Sequence, residues 1–227
     1  MSLSRPQLQM FLHSHPYKPF IPKTATKLIV GTLPPPRFSI NELHAEDVNF
    51  CYGSKYGLLW PILDKIYTLN LEYCNTTHAV NQRKEFLIRS KIGICDIVQS
   101  CEREKINASD LGMKNIKLRN LINFLQENIS IKTILFMGGN SKNGPEYLFR
   151  SHLKEHQLAL NIISSKTPKI HQFELENRVI KTISLTSPSN AANRSIGSNT
   201  LYKKLKSANK LFTTFDFRLL QYEKYFK

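Results

Sequence analysis

Apolar residues along the chain recur with two different spacings, and the spacings alternate. Short β-branched runs over residues 27–31 (KLIVG), 92–98 (IGICDIV), 131–137, 158–164 and 179–185 predict buried strands, several ending at Gly, Pro or small polar residues. Between them, apolar positions three and four apart predict helices over 58–69, 80–89, 115–127, 145–156 and 199–211, with a short helix over 7–13. Strands alternating with helices imply a mostly parallel sheet covered on both faces. Ligands of such sheets bind beyond the carboxyl ends of the strands. That rule selects residues 32–37, 99–109, 138–144 and 186–197 before any motif is considered.

Composition narrows the class. The chain has 227 residues, 41% hydrophobic and 22% charged, which suits one globular domain. Lys and Arg number 32 against 17 acids, a formal charge of +15 that favours a polyanionic partner, because neutralised phosphates release counterions. The four cysteines form no Cys-x-x-Cys pair, which argues against a zinc ribbon or a disulfide scaffold. Reduced thiols and a cytoplasmic location are expected. No apolar run reaches membrane-spanning length, and residues 1–20 lack the apolar core of a secretion signal.

Three segments carry candidate chemistry. Gly31-Thr32-Leu33-Pro34-Pro35-Pro36 leaves a buried strand as a stiff turn whose glycine lets the backbone approach a flat ligand. Residues 50–60 (FCYGSKYGLLW) offer aromatic faces for stacking around Gly and Lys, while Trp60 is expected to anchor the loop. Residues 185–195 (LTSPSNAANRS) offer hydroxyls and backbone N–H groups to a phosphate, with Arg194 adding charge.

Together these segments resemble the uracil-DNA-glycosylase superfamily, closest to its mismatch-specific and hypoxanthine-type branches, and Gly93–Val98 is similar to a Gly-x-x-Asp-Ile-Val strand of the former. The resemblance covers residues 27–210. It implies a single domain, 1–227, with residues 1–26 as an N-terminal extension. It also implies an α/β fold, a three-layer α/β/α sandwich around a central, mostly parallel four-stranded sheet. Its implied base-binding set is Gly31, Thr32, Leu33, Pro34, Tyr52 and Gly57, with Tyr52 stacking on the base. Ser187, Pro188, Ser189, Asn190 and Arg194 would press on DNA.

The catalytic positions differ. Leu33, Gly57 and Ser187 stand where relatives carry an activating Asp or Asn, an Asn and a His. Hydrolysis of an N-glycosidic bond needs charge stabilisation and a positioned water. Asp47, with Glu46 or Asn49 next, is the expected replacement, and the lost side chains at 33 and 57 suggest a pocket for a bulkier modified base. The expected function is a monomeric DNA glycosylase of base-excision repair or of defence against modified DNA. It would flip its base from duplex or single-stranded DNA and need no cofactor. The alternative is a non-catalytic sensor of damaged bases on the same fold, and a third class is an enzyme of small nucleosides. Asp96 is read as a strand-end hydrogen-bonding residue. His152-x-x-Glu155-His156 matches a zinc-peptidase pattern but lacks a third ligand, so no metal is expected.

Overall fold

A computed structural model describes residues 10–107 and 109–227. The elements run β1 (Phe11–Ser14), β2 (Lys27–Gly31), α1 (Pro36–Ser39), α2 (Leu59–Tyr67), α3 (Thr77–Arg89), β3 (Ile92–Asp96), β4 (Val98–Arg103), β5 (Lys114–Leu118), α4 (Leu121–Glu127), β6 (Thr133–Phe136), α5 (Pro145–Glu155), β7 (Asn161–Ser164), β8 (Lys169–Leu175), β9 (Arg178–Ser184), α6 (Asn193–Ser198), α7 (Thr200–Ala208) and α8 (Thr214–Phe226).

The main sheet has six strands in the order β3-β2-β6-β9-β8-β7. The first four are parallel, and β8 and β7 extend them antiparallel, so the sheet is mixed rather than the expected four strands. Its alternating side chains feed two cores. Leu28, Val30, Ile134 and Phe136 face a layer built from α4 and α5, while Ile29, Leu135 and Ile183 face α2, α3 and α8. Helices therefore cover both faces. The four parallel strands end along one edge, where Gly31 lies beside Asp96, Val30 beside Phe136, and Phe136 beside Ser184.

A second, antiparallel sheet, β1-β4-β5, springs directly from the first. The predicted strand over 92–98 is interrupted at Ile97, with Asp96 ending one sheet and Val98 starting the other. Backbone bonds from Ile97 N–H to Gly31 O (2.9 Å) and from Val98 N–H to Thr32 O (3.2 Å) fix that corner.

Several sequence expectations are corrected. Residues 11–13 of the expected first helix form β1, whose His13 turns inward and accepts a hydrogen bond from Arg103 Nε (2.9 Å). Residues 7–9 lie outside the described residues. The expected helix over 115–127 is a strand followed by a helix. Ile116 and Leu118 are spaced by two, as a strand requires, and Asn120 then caps α4 by accepting from Asn123 N–H. The helix expected to close the core, α7, buries no residue, and α8 performs that role with Phe217, Tyr222 and Phe226.

Candidate active site

Gly31 is the floor of the site. A Cβ built on it would lie 1.8 Å from the phenolic oxygen of Tyr52 and 2.4 Å from Asp96 Oδ1, so only glycine admits both groups above the strand end. Tyr52 arrives from a tight turn. Val48 N–H donates to Gly53 O (2.7 Å) and Gly53 N–H to Phe50 O (2.9 Å), and Tyr52 itself takes the left-handed conformation, φ 58°. Such backbone in a bulky residue costs about 1 kcal/mol or more and persists only where its surroundings enforce it. Trp60 anchors the same loop, as expected, donating from Nε1 to Cys51 O (2.8 Å).

Asp96 is held from the other side by His15. The imidazole accepts Tyr17 N–H at Nδ1 (3.0 Å), so the ring hydrogen sits on Nε2 and is donated to Asp96 Oδ2 (2.8 Å). Among the described residues, neither Asp96 Oδ1 nor Tyr52 Oη makes a hydrogen bond. Two oxygens without protein partners thus meet over a bare glycine. Burial, then the nearby Asp96 carboxylate, push the Tyr52 phenol well above its ordinary pKa, so it stays a neutral donor.

Thr32, the next residue, donates from its hydroxyl to Asp110 Oδ1 (2.9 Å). Burial raises Asp110 to a pKa of about 6, opposed by the Thr32 hydrogen bond and the Arg103 charge and reinforced by Asp96. Asn143 tethers this acid by donating to Asp110 O (2.9 Å) and Met113 O (3.2 Å). Leu33 turns away and packs on the α4–α5 core. Pro34 is buried.

Asp47 has a different task. Its fully buried carboxylate accepts Arg37 Nε and His44 N–H on Oδ2 (2.8 and 2.9 Å), and Arg37 NH2 and Lys55 N–H on Oδ1 (both 2.8 Å). Four bonds fill its lone-pair positions and leave none for a water. Burial alone would raise its pKa, but Arg37 and the two backbone donors outweigh it and hold the group at about 2. Asp47 is therefore a clamp across the 44–55 loop. Asp47→Ala is expected to lower stability by about 3 kcal/mol, because Arg37 loses its bidentate partner. The wild-type contribution is present above the ordinary carboxylate range and disappears as pH falls through about 2. Urea unfolding at pH 7 and pH 3 measures both, and equal midpoints for wild type and variant at pH 7 would refute the clamp. Glu46 and Asn49 are exposed, paired with Lys55 and Tyr17 respectively. Gly57 is crowded rather than open, since a Cβ there would lie 3.1 Å from Ser54 O and 3.3 Å from Tyr52 O.

The 185–195 segment borders the site from β9. Pro188 is buried and its carbonyl accepts Leu58 N–H (2.9 Å), joining this loop to the Tyr52 loop. Ser187 and Ser189 are half-buried, and Asn190 and Arg194 are exposed. Arg218 of α8, wholly buried, donates to Ser187 O (2.9 Å), Ser189 O (2.7 Å), Asn193 Oδ1 (3.0 Å) and Thr214 O (3.1 Å). Tyr222 donates to Thr186 O (2.8 Å), and Gln221 accepts Thr186 N–H (2.6 Å).

Sequence reasoning missed His15, Asp110 and Arg218 as members of this arrangement. His15 meets Asp96 across 81 positions with no local pattern to announce it. The Thr213-x-x-Asp216 capping box did mark the start of α8. Among the described residues no group of three or more His, Cys, Asp or Glu could hold a metal ion, and no helix is long and apolar enough to cross a membrane.

Comparison with known proteins returns one informative neighbour. No family model matches the chain, and no curated protein does. The solution NMR structure of a "putative Uracil DNA glycosylase" from Methanosarcina acetivorans matches over 92% of this chain and 99% of its own, with a TM-score of 0.52 and 14% identity. The two chains share a fold. At that identity the likeness is one of backbone course. The shared fold nevertheless has its strand ends, Gly31 and Asp96 among them, on the edge where α/β sheets receive ligands.

Proposed function

We propose that the protein is a DNA glycosylase that hydrolyses an N-glycosidic bond of an extruded base above Gly31. The observation that carries this reading is the meeting of Asp96 Oδ1 and Tyr52 Oη over the Gly31 backbone within a uracil-DNA-glycosylase-like fold. The +15 charge supports a DNA partner. In this reading Tyr52 stacks on or hydrogen-bonds the base. Asp96, oriented by His15, stabilises positive charge on the sugar and takes a proton from the attacking water. The water oxygen bonds to C1′, the bond to the base nitrogen breaks, and its electron pair leaves with the base. Asp110, protonated below about pH 6, is the candidate donor to the departing base. The Ser187–Ser189 loop and Arg194 would contact the DNA backbone.

The first test is base release from duplex and single-stranded oligonucleotides carrying uracil, hypoxanthine, thymine mismatches or bulky modified pyrimidines, with abasic sites cleaved by alkali. Strand cleavage at one lesion establishes the activity and names the base. Leu33, packed into the core, and Gly57, without a side chain, favour a second reading as a sensor of damaged bases. Tight, salt-sensitive binding with no cleavage across the panel supports that reading.

Asp110 makes a pH-dependent prediction. If its proton reaches the base, wild-type release slows as pH rises through about 6, whereas Asp110→Asn is slow at pH 5 and converges on wild type above pH 7. Stability falls over the same pH range. A carboxyl whose folded pKa is raised disfavours folding once ionised, so stability falls as pH rises from the ordinary carboxylate value through about 6. Asp110→Asn is thus expected to melt above wild type at pH 7.5 and level with it at pH 3.5. Parallel pH–rate profiles for the two proteins would remove Asp110 as the donor.

A further inference from the structure

A long acid-free stretch bordering the site runs from β9 through α7. Residues 177–215 contain seven Lys or Arg and no Asp or Glu, in a chain that holds 17 acids. Within it, Arg194, Lys203, Lys204, Lys206 and Lys210 follow the loop that borders the site, and none forms a salt bridge among the described residues. Lys203, Lys204 and Lys210 are exposed, and Lys206 closes the carboxyl end of α7 by donating to Lys210 O (2.6 Å).

α7 itself serves no core. It buries no residue, yet it is fastened in place. Asn199 Oδ1 caps it by accepting Leu201 N–H (2.9 Å) and Tyr202 N–H (3.2 Å). The Tyr202 ring packs against Phe212 and Phe217, with centroids 6.0 and 5.9 Å apart. Phe217 adjoins Arg218, which pins the 187–193 loop, so α7 and that loop are carried by one helix, α8. A surface helix held rigidly without contributing to the core, and bearing unpaired cations of one sign, matches a regularly spaced polyanion.

We propose that α7 is a DNA-backbone contact, with Lys203, Lys204 and Lys210 neutralising phosphates of the strand flanking the extruded base. This rests on the reading of the protein as DNA-binding and adds where the duplex lies: over α7, continuing from the 187–194 loop. Contacts of this kind carry no base information and set register on the duplex.

The test is the salt dependence of binding to an undamaged 20-base-pair duplex, followed by fluorescence anisotropy. The triple variant Lys203→Gln, Lys204→Gln, Lys210→Gln is expected to flatten the log Kd against log salt slope by about 2–3, since each phosphate contributes about 0.9. It should also weaken binding about tenfold or more at physiological salt. Circular dichroism confirms that the variant is folded. A control neutralising exposed Lys23, Lys154 and Lys166, elsewhere on the molecule, is expected to change the slope by less than 1. Equal slopes for the two triple variants overturn the assignment of α7, even where base release persists. Wild-type protein without salt-sensitive binding overturns it together with the DNA reading. A flattened slope in a protein that releases no base supports α7 and removes only the glycosylase reading.

Discussion

Asp96→Asn is expected to slow base release by about 100- to 10,000-fold, the range for losing a positioned acid–base group. Asparagine keeps the shape of the residue, and its Oδ1 can still accept His15 Nε2–H, so the clasp between the N-terminal segment and β3 survives. What disappears is the negative charge beside Gly31 and one of the two acceptor oxygens. A glycosylase whose carboxylate stabilises a cationic sugar loses rate by that change while keeping affinity for DNA. Single-turnover release at saturating protein separates the two effects. A variant that retains more than a third of the wild-type rate would remove Asp96 from the chemistry. A loss confined to affinity would make it a binding residue.

Arg218→Ala is expected to be the most destabilising single substitution near the site, by about 3–5 kcal/mol. The guanidinium is wholly buried and satisfies three carbonyls and one side-chain amide oxygen at once. Removing it strands buried acceptors, each worth about 1–3 kcal/mol when unsatisfied. For a domain of this size, 2–4 °C in Tm accompanies each kcal/mol, giving a drop of roughly 10 °C. Arg218→Lys is expected to lose most of the same stability, because an ammonium cannot span the planar fork of acceptors. Thermal unfolding measures both, and a Tm within 3 °C of wild type for Arg218→Ala would show that the loop is held by other contacts. The same variant should loosen residues 187–193 and weaken DNA binding.

The parts of the fold legible in the sequence are those written by one dominant force. β2 and β6 are buried on both faces, so their runs of Ile, Leu and Val state their role without help from neighbours. α2, α3 and α5 show their apolar stripes for the same reason. What escaped was set by partners distant in sequence. α8 hides its inward face because two of the residues there, Arg218 and Gln221, are polar and satisfied chiefly by the 186–193 loop. β8 was unread because His171 and Glu174 interrupt its apolar positions, though His171, Phe173 and Leu175 alternate inward.

The site divides in the same way. Gly31 and Tyr52 were identified from local motifs, and the geometry brings them together. Asp47 was chosen for being acidic and five positions from Tyr52, yet backbone donors and Arg37 claim its carboxylate. Asp96 was read as a hydrogen-bonding strand end, which it is through His15. Its second oxygen, over Gly31, follows from the pairing of β2 with β3, and no pattern within either strand encodes that.

The corner at Ile97 has a consequence for how the protein tolerates sequence drift. Asp96 terminates one sheet and Val98 opens the other, so the small sheet acts as a lever whose pivot is one residue from the carboxylate. Its far end is set by Arg103, which bonds His13 of β1 and Ser109 O (2.7 Å). Val98 and Cys101 of that sheet belong to the core under α4 and α5 and Arg103 is itself buried, so a substitution there disturbs packing and pivot together. Such changes are expected to lower thermal stability and to shift Asp96 at the same time. In this architecture the ribbon's amino acids therefore answer to packing and to the placement of Asp96 at once.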